Sequence, residues 1–278
     1  MNKPIIALDA GHGMGTAGKR CLKSIDPNQT REWFLNDRIA DRVQELLTVY
    51  DCTVIRVDDT TGAKDIPLTS RVKTANAAKA NMYISIHHNA GINGGNGGGT
   101  VVYYYSNNNT RRVQAMHLYD MITARTGLFG NRSNKVVKNG FYVIKKTTMP
   151  AFLIENGFMD SRTDVPIILS ATHADRTAHG IVDFLVAELH IKTAQGGPQR
   201  PQTGGSTGTG NQVMSMYYPA YTGPKTTLYT AMAHLGLDAS YARRKLIAKA
   251  NNITGYVGTA AQNTQMYNLL VAGLLKQV

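Results

Sequence analysis

Five side chains have the residue types of a hydrolytic metal site: the histidines His12, His87 and His88 and the glutamates Glu32 and Glu155. Two histidines and one carboxylate are the standard ligands of a catalytic zinc, which keeps its fourth position for water. A second carboxylate can take the proton of that water, because the metal lowers the pKa of the water to around 7. These residues therefore predict metal-assisted hydrolysis of an unactivated bond such as an amide.

Local sequence positions these side chains. Glycines flank His12 on both sides and permit backbone angles that other residues avoid. Consecutive strand residues point to opposite faces, so only one of His87 and His88 can face the same site as His12. Glu32 opens a predicted helix, with Asn36 one turn later on the same face. The ligands are scattered and form no compact motif such as His-Glu-x-x-His, so spacing alone leaves metal binding open.

Short β-branched runs alternate with helical patterns through residues 1–192. Strands are predicted at PIIALD, TVIRV, MYISIH, GTVVYYY, FYVI and AFLIE, and helices over about 32–48, 69–80, 111–125 and 171–190. This alternation indicates an α/β fold, with a mostly parallel sheet flanked by helices on both faces. Ligands of such sheets bind at the carboxyl ends of the strands, where three predicted strands end in candidate site residues.

A linker divides the chain. Residues 193–212 contain no large apolar residue and a single charge, Arg200. Residues 213–278 then predict a small, mostly α module with three helices, at TTLYTAMAHLG, at SYARRKLIAKAN with Ser240 as N-cap and at TAAQNTQMYNLLVAGLL with Thr259 as N-cap. Six basic residues and one acidic residue give this module a net charge of +5. No catalytic constellation is visible in it.

Four separated segments of the large domain resemble a known family. LDAGHG, Glu32 with Asn36, PLTSRVKTANAAKANMYISIHHNA and FLIENGF agree in order and residue type with the zinc amidases of the amidase-3 group, found in bacterial autolysins and phage endolysins. The resemblance implies that His12, Glu32 and His87 ligate Zn2+ and that Glu155 is the catalytic carboxylate. It implies cleavage of the amide between N-acetylmuramic acid and the L-alanine of the peptidoglycan stem peptide.

The C-terminal module is similar to the module that follows the catalytic domain in endolysins of phages infecting clostridia and related Gram-positive hosts. That similarity implies recognition of the cell wall. Residues Met214 and Met216, at the boundary, would allow internal initiation of a shorter product that contains the module alone and associates with the full-length chain, although packing in the module core explains them as well. The N-terminus lacks the form of a secretory signal, which predicts that the protein stays in the host bacterial cytoplasm until it is released to the cell wall.

The composition of the chain limits the classes of partner that it is expected to bind. The formal charge of +12 favours polyanions such as nucleic acid, anionic lipid or the teichoic polymers of a Gram-positive wall, and charge alone does not choose among them. The family resemblance implies peptidoglycan and its anionic wall polymers. Nucleic acid is not expected, because the basic residues are dispersed and form no recognised binding motif. No apolar run approaches the roughly 20 residues of a membrane-spanning helix. Cys21 and Cys52 are predicted to be reduced, ordinary buried or partly buried residues.

Several residues are weaker candidates. Asn89 and Asn156 adjoin catalytic positions and would bind substrate or cap turns. The candidates for wall binding are Tyr217, Tyr218, Tyr221 and Tyr256, which could stack on sugars, and Arg243, Arg244 and Lys245, which could contact an anionic polymer or form a solvated face. His88 is predicted to lie outside the ligand set. The remaining histidines are predicted to lie at the surface or in an interface: His117, His173, His179, His190 and His234.

Three other functions compete with the amidase. A zinc peptidase acting within the stem peptide would use the same ligands and differ only in its pocket contacts. A nucleic-acid-binding protein would explain the charge but not the histidines and glutamates. A catalytically inactive wall anchor is disfavoured because His12, His87 and Glu155 are all present.

Overall fold

The computed structural model describes residues 3–194 except 108, 132 and 134, and residues 218–276 except 219, 220, 222, 224–226, 240, 252 and 272–274. The chain divides into two compact units, Met1–Pro198 and Gln199–Val278. The predictions for Met214, Met216 and Tyr217 and for Ser240 lie outside the described residues, as does most of the predicted linker. None of the described helices is both long and apolar enough to cross a membrane.

The first unit is built on one six-stranded sheet. Its strands are β1 (Ile5–Ala10), β2 (Thr53–Arg56), β3 (Met82–Asn89), β4 (Thr100–Tyr104), β5 (Val136–Lys138) and β6 (Ala151–Phe158), in the order β2-β1-β3-β6-β4-β5. All neighbouring pairs are parallel except β4 and β6, which are antiparallel. The prediction of a mostly parallel sheet is therefore confirmed.

Helices cover both faces of the sheet, as predicted. The helices of this unit are α1 (Glu32–Leu47), α2 (Leu68–Ala77), α3 (Asn109–Thr126), α4 (Tyr142–Lys146), α5 (Val165–Ile168) and α6 (Ala171–Glu188). One face buries the apolar sides of α1, α3 and α6 against alternate strand residues such as Ile84 and Ile154. The other face buries α2 and α4 against the intervening residues, such as Tyr83 and Leu153. This alternation assigns each strand-end side chain to one face of the sheet.

Three details differ from the sequence-based expectation. FYVI, predicted as a strand, forms the short helix α4, in which Val143 and Ile144 are buried and the flanking residues face outward. The short elements β5 and α5 were not predicted. Thr193 forms a bridge with Tyr50, and the N–H of Ala194 donates to the carbonyl of Val49 at 3.0 Å. These two residues therefore belong to the large domain and not to the linker.

The second unit is mostly helical, as predicted. Its helices are α7 (Leu228–His234), α8 (Tyr241–Ala250) and α9 (Ala260–Val271). Thr259 is the N-cap of α9, since its hydroxyl accepts a hydrogen bond from the N–H of Gln262 at 3.3 Å. The three helices bury a common apolar core that includes Met232, Ile247 and Met266.

Candidate metal centre and catalytic carboxylate

His12 lies directly beyond β1 in a strained backbone conformation. Its φ is +70°, in the left-handed region that non-glycine residues rarely adopt. Gly11 precedes it, and a Cβ at Gly11 would lie only 2.1 Å from the imidazole of His87. The N–H of Gly11 also donates to the carbonyl of Ile86 at 3.0 Å. The glycine thus lets β1 and β3 bring two imidazoles together, with ring centroids 4.9 Å apart.

Glu32 completes a three-residue cluster with the two histidines. Its Oε1 lies 3.4 Å from Nε2 of His12 and 3.1 Å from Nδ1 of His87. One donor atom from each residue falls within a 4.8 Å cluster, the one group of this kind in the part of the chain that the structure describes. Glu32 is the first residue of α1, where the helix dipole favours a negative charge. The residues predicted as metal ligands are therefore neighbours in space.

The electrostatics of this cluster suit a cation. Burial opposes ionisation of Glu32, yet the hydrogen bonds and charges of His12 and His87 hold the pKa of Glu32 well below its usual value. Burial would lower the pKa of His87, but Glu32 raises it. Oε2 of Glu32 is buried with no hydrogen-bond partner among the described residues. An ionised, unsatisfied carboxylate oxygen beside two imidazoles is the donor set that a divalent metal such as zinc accepts.

Glu155 lies beside this cluster but outside it. It is the partner of His87 in the β3–β6 register, so both side chains lie at the same edge of the sheet. Burial raises the pKa of Glu155 to about 8, and its Oε2 is buried without a hydrogen-bond partner among the described residues. A carboxylate with a pKa near neutrality is suited to accept and return a proton. The environment of Glu155 is compatible with the role predicted for it, which stays a prediction.

Arg71 holds the backbone beneath His12, and the sequence did not predict this role. The guanidinium donates to the carbonyls of Ala10 at 2.8 Å and His12 at 3.0 Å, and it forms an ion pair with Asp9. It also donates to Ile66 and Asp65, so all five N–H groups are used. The signal available in the sequence was an arginine on the buried side of α2 and an aspartate inside an apolar strand.

His88 and Asn156 form the supporting layer of the site. Nδ1 of His88 lies 2.8 Å from Oδ1 of Asn36, whose amide donates to the carbonyl of Gly11. His88 is 3 % exposed and lies outside the metal cluster, which agrees with its predicted place. Asn156 is fully buried and donates to the carbonyl of His87 at 3.1 Å. The side chain of Asn156 does not reach the surface, and substrate binding by Asn156 stays a prediction.

The structure also describes two further residues singled out from the sequence, Asn89 and His173. The Oδ1 of Asn89 accepts from the N–H of Ala90 at 2.8 Å, so Asn89 caps the turn that follows β3 and is only partly buried. His173, predicted at the surface or in an interface, is 3 % exposed, and its Nε2 lies 3.3 Å from the carbonyl oxygen of Asn156. Burial lowers the pKa of His173 to about 4. It belongs to the core beneath the catalytic edge.

The aromatic wall-binding candidates of the second unit pack in its core. Tyr218, Tyr221 and Tyr256 are only 4–6 % exposed, and the ring of Tyr221 lies 6.3 Å from that of Tyr267. Buried rings leave little area open to a sugar, and the stacking role of these three tyrosines stays a prediction without support from their burial.

Two of the three basic candidates of the second unit, Arg243 and Arg244, are partly buried. Arg243 contacts the hydroxyl of Tyr218 at 3.4 Å, and Arg244 donates to Asn263 at 3.2 Å. Lys245 is exposed. Wall binding by these residues stays a prediction.

Cys21 is 1 % exposed and Cys52 is partly buried, and both are free thiols, as predicted. Burial raises the pKa of Cys21 to about 12. A thiol that stays protonated is a poor nucleophile, which leaves the chemistry to the histidines and glutamates.

Comparison with known proteins agrees with this geometry. Residues 6–187 match the Amidase_3 family model, described as N-acetylmuramoyl-L-alanine amidase. The endolysin of Bacillus phage SPP1 is 28 % identical over 194 residues, which cover 69 % of this chain and 69 % of that protein. The N-acetylmuramoyl-L-alanine amidase CwlM of Bacillus licheniformis is 29 % identical over 186 residues, which cover 67 % of this chain and 69 % of that protein.

A solved structure shows the same fold. The catalytic domain of CwlV, an N-acetylmuramoyl-L-alanine amidase from Bacillus (Paenibacillus) polymyxa, superposes with a TM-score of 0.60 at 26 % identity. The match covers 68 % of this chain and 99 % of that domain. With the family model matched over most of the first unit, the chain belongs to the N-acetylmuramoyl-L-alanine amidase family Amidase_3.

Proposed function

We propose that this amidase is zinc-dependent, that His12, Glu32 and His87 hold the zinc, and that Glu155 is the general base. One observation carries the proposal: the ligand atoms of these three residues converge within 4.8 Å, and Glu155 is the register partner of His87. Two imidazoles and one carboxylate leave a fourth position open in a tetrahedral site.

The roles of the chain's own residues follow from their environments. Zinc, when bound, polarises the scissile carbonyl and lowers the pKa of water. Glu155 takes the proton of the attacking water on a carboxylate oxygen and returns it to the nitrogen of the departing L-alanine. A cavity of about 380 Å3 opens beside His12 and His87, with Ile66, Pro67 and Leu68 on its apolar side. This cavity accommodates the part of the substrate that adjoins the scissile amide.

The substrate is the amide between N-acetylmuramic acid and the L-alanine of the stem peptide in Gram-positive walls. Purified walls should lose turbidity with the enzyme, retain it after treatment with a chelator and lose it again when zinc is restored. Analysis of the products should find peptides that begin with alanine and uncut glycan strands. Peptides cut at an internal bond would show instead a peptidase with the same ligands, and lysis unaffected by the chelator would refute the metal site.

For the second unit we propose binding to peptidoglycan and its anionic polymers, and for the whole chain the role of a phage endolysin that reaches the wall after release. The similarity to a phage endolysin and the net charge of +5 in residues 213–278 support this. Residues 1–194 alone should cut walls, and residues 213–278 alone should sediment with walls without cutting them. A module that remains in the supernatant with walls of every Gram-positive host tested would refute the binding role. Size measurement of the isolated module tests its self-association.

A further inference from the structure

Lys19 is held over the first turn of α1 by its backbone. The segment between the two ligands, residues 13–31, turns back so that Arg20 and Arg31 form an antiparallel bridge. The N–H of Glu32 donates to the carbonyl of Lys19 at 3.0 Å. The backbone of Lys19 is therefore fixed by the same residue that supplies the carboxylate of the metal cluster.

The ammonium of Lys19 faces the catalytic centre. Its Nζ lies 3.8 Å from Oε2 of Glu32, and the side chain is 44 % exposed. This separation is longer than a hydrogen bond, so the ammonium keeps donors for another acceptor. The positive charge of Lys19 also acts on Glu155, against the effect of burial on the pKa of that carboxyl.

The charges of the occupied centre leave Lys19 without a fixed counter-ion. This step rests on the proposed function. A divalent cation on His12, Glu32 and His87 would offset the charge of Glu32, which is the carboxylate nearest to the ammonium of Lys19. Arg71 does not take part, because its five donors are already used within the fold. An accessible ammonium whose nearest carboxylate is occupied by a cation selects an anionic group on the substrate.

The stem peptide offers such a group near the scissile bond. Its second residue, linked after L-alanine, carries a carboxylate in some walls and a carboxamide in others. In an extended peptide, two residues span about 7 Å, which is within reach of an ammonium placed this close to the ligands of the metal. We propose that Lys19 binds the carboxylate of this second residue and makes the enzyme prefer stem peptides in which that group is not amidated.

The test compares two soluble disaccharide-peptides that differ only in a carboxylate or a carboxamide at the second residue. The parent should show a kcat/KM about 10- to 100-fold higher for the carboxylate form, the value of one charge-assisted hydrogen bond. Lys19→Met should bring this ratio close to one by raising KM for the carboxylate form, and Lys19→Arg should retain most of the preference. Lys23→Met, which removes the same charge from an exposed position of the same segment, should keep the ratio of the parent.

A second readout avoids turnover. Calorimetry on the Glu155→Gln variant should show tighter binding of L-alanyl-D-glutamate than of the same dipeptide amidated at its α-carboxyl group, and adding Lys19→Met should remove the difference while the zinc content stays constant. A ratio that persists in Lys19→Met, or a parent that does not discriminate, overturns the proposal. If Lys19 had a purely structural role, its replacement would lower kcat/KM equally for both substrates and so preserve their ratio. A parent that cuts neither substrate would instead refute the proposed amidase function.

Discussion

Replacing Arg71 by methionine removes the hydrogen bonds that fix the end of β1 while keeping a long apolar stem. The side chains of Arg71 and Asp9 are 1 % and 2 % exposed, so water cannot replace the lost partner. Asp9 would retain the hydroxyl donors of Tyr83 at 2.9 Å and Ser85 at 2.7 Å. Breaking a buried ion pair by removing one partner typically costs about 3–5 kcal/mol. Because two donors remain, we expect a loss of about 3 kcal/mol in the free energy of unfolding at pH 7.

The loss should depend on pH, and its sign follows from Asp9. Burial opposes ionisation of Asp9, but the charges of Arg71 and His87 and the hydrogen bonds from Ser85 and Arg71 together outweigh it and hold the pKa of Asp9 below its ordinary value in the folded parent. The stability from this depressed pKa is present above the unfolded pKa of about 3.9 and is lost as pH falls below it. Without Arg71, burial raises the pKa of Asp9 in the folded state. The difference between parent and variant should therefore be largest at neutral pH and shrink towards pH 4.

The single tryptophan makes the measurement specific to the first unit. Trp33 is 7 % exposed, so its fluorescence reports unfolding of this unit in the full-length chain. Urea titrations of the parent, Arg71→Met, Asp9→Asn and the double variant, all with chelator, give the coupling free energy of the pair. A loss below about 1 kcal/mol at pH 7, or one that does not change with pH, would contradict the assigned role of Arg71.

Three further predictions concern the catalytic edge. Glu155→Gln should abolish wall hydrolysis while the zinc content remains that of the parent, and lysis within a few-fold of the parent would exclude Glu155 as the base. His12→Ala and His87→Ala should each lose both zinc and activity, which metal analysis of the purified variants checks; full occupancy in either would mean that the ligands are misassigned. His173 should make the free energy of unfolding fall as pH drops from about 6.5 to about 4, because the unfolded chain binds a proton that the buried imidazole excludes. In His173→Leu, the free energy of unfolding measured by urea titration should fall by up to about 3 kcal/mol less than in the parent over that pH interval. The same fall in variant and parent would contradict a buried, neutral His173.

The edge of the sheet that carries the site was predictable because apolar β-branched runs stop near His12, His87 and Glu155, and parallel strands bring their carboxyl ends to one edge of a sheet. The exact ends were not, since β3 and β6 continue past His87 and Glu155 to Asn89 and Phe158. The helix that begins at Glu32 was predictable from its apolar periodicity. Family resemblance supplied the choice between His87 and His88, which alternation alone could not make. The structure then places the three candidate ligands in one cluster.

Long-range contacts account for what the sequence could not predict. Arg71 and Asp9 are 62 residues apart, and nothing local to either residue identifies the other as its partner. FYVI has strand-forming residue types, but Val143 and Ile144 are buried together against one face of the sheet, which a single helical turn achieves and an alternating strand would not. The buried tyrosines of the second unit reflect the size of its core, which composition alone did not reveal.

The two glutamates of the site have the same side chain, but their surroundings shift their pKa values in opposite directions. Glu32 stays ionised because His12 and His87 lie beside it at the start of a helix, and an ionised carboxylate is what a metal binds. Glu155 is buried at the neighbouring strand position without a hydrogen-bond donor to its Oε2 in the described structure, and burial raises its pKa to about 8. On the proposed assignment, a cation at the cluster would lower the pKa of Glu155 towards neutrality, where a carboxylate exchanges protons most readily. Exchange of the two roles would therefore require exchange of their surroundings, because the side chains themselves are the same.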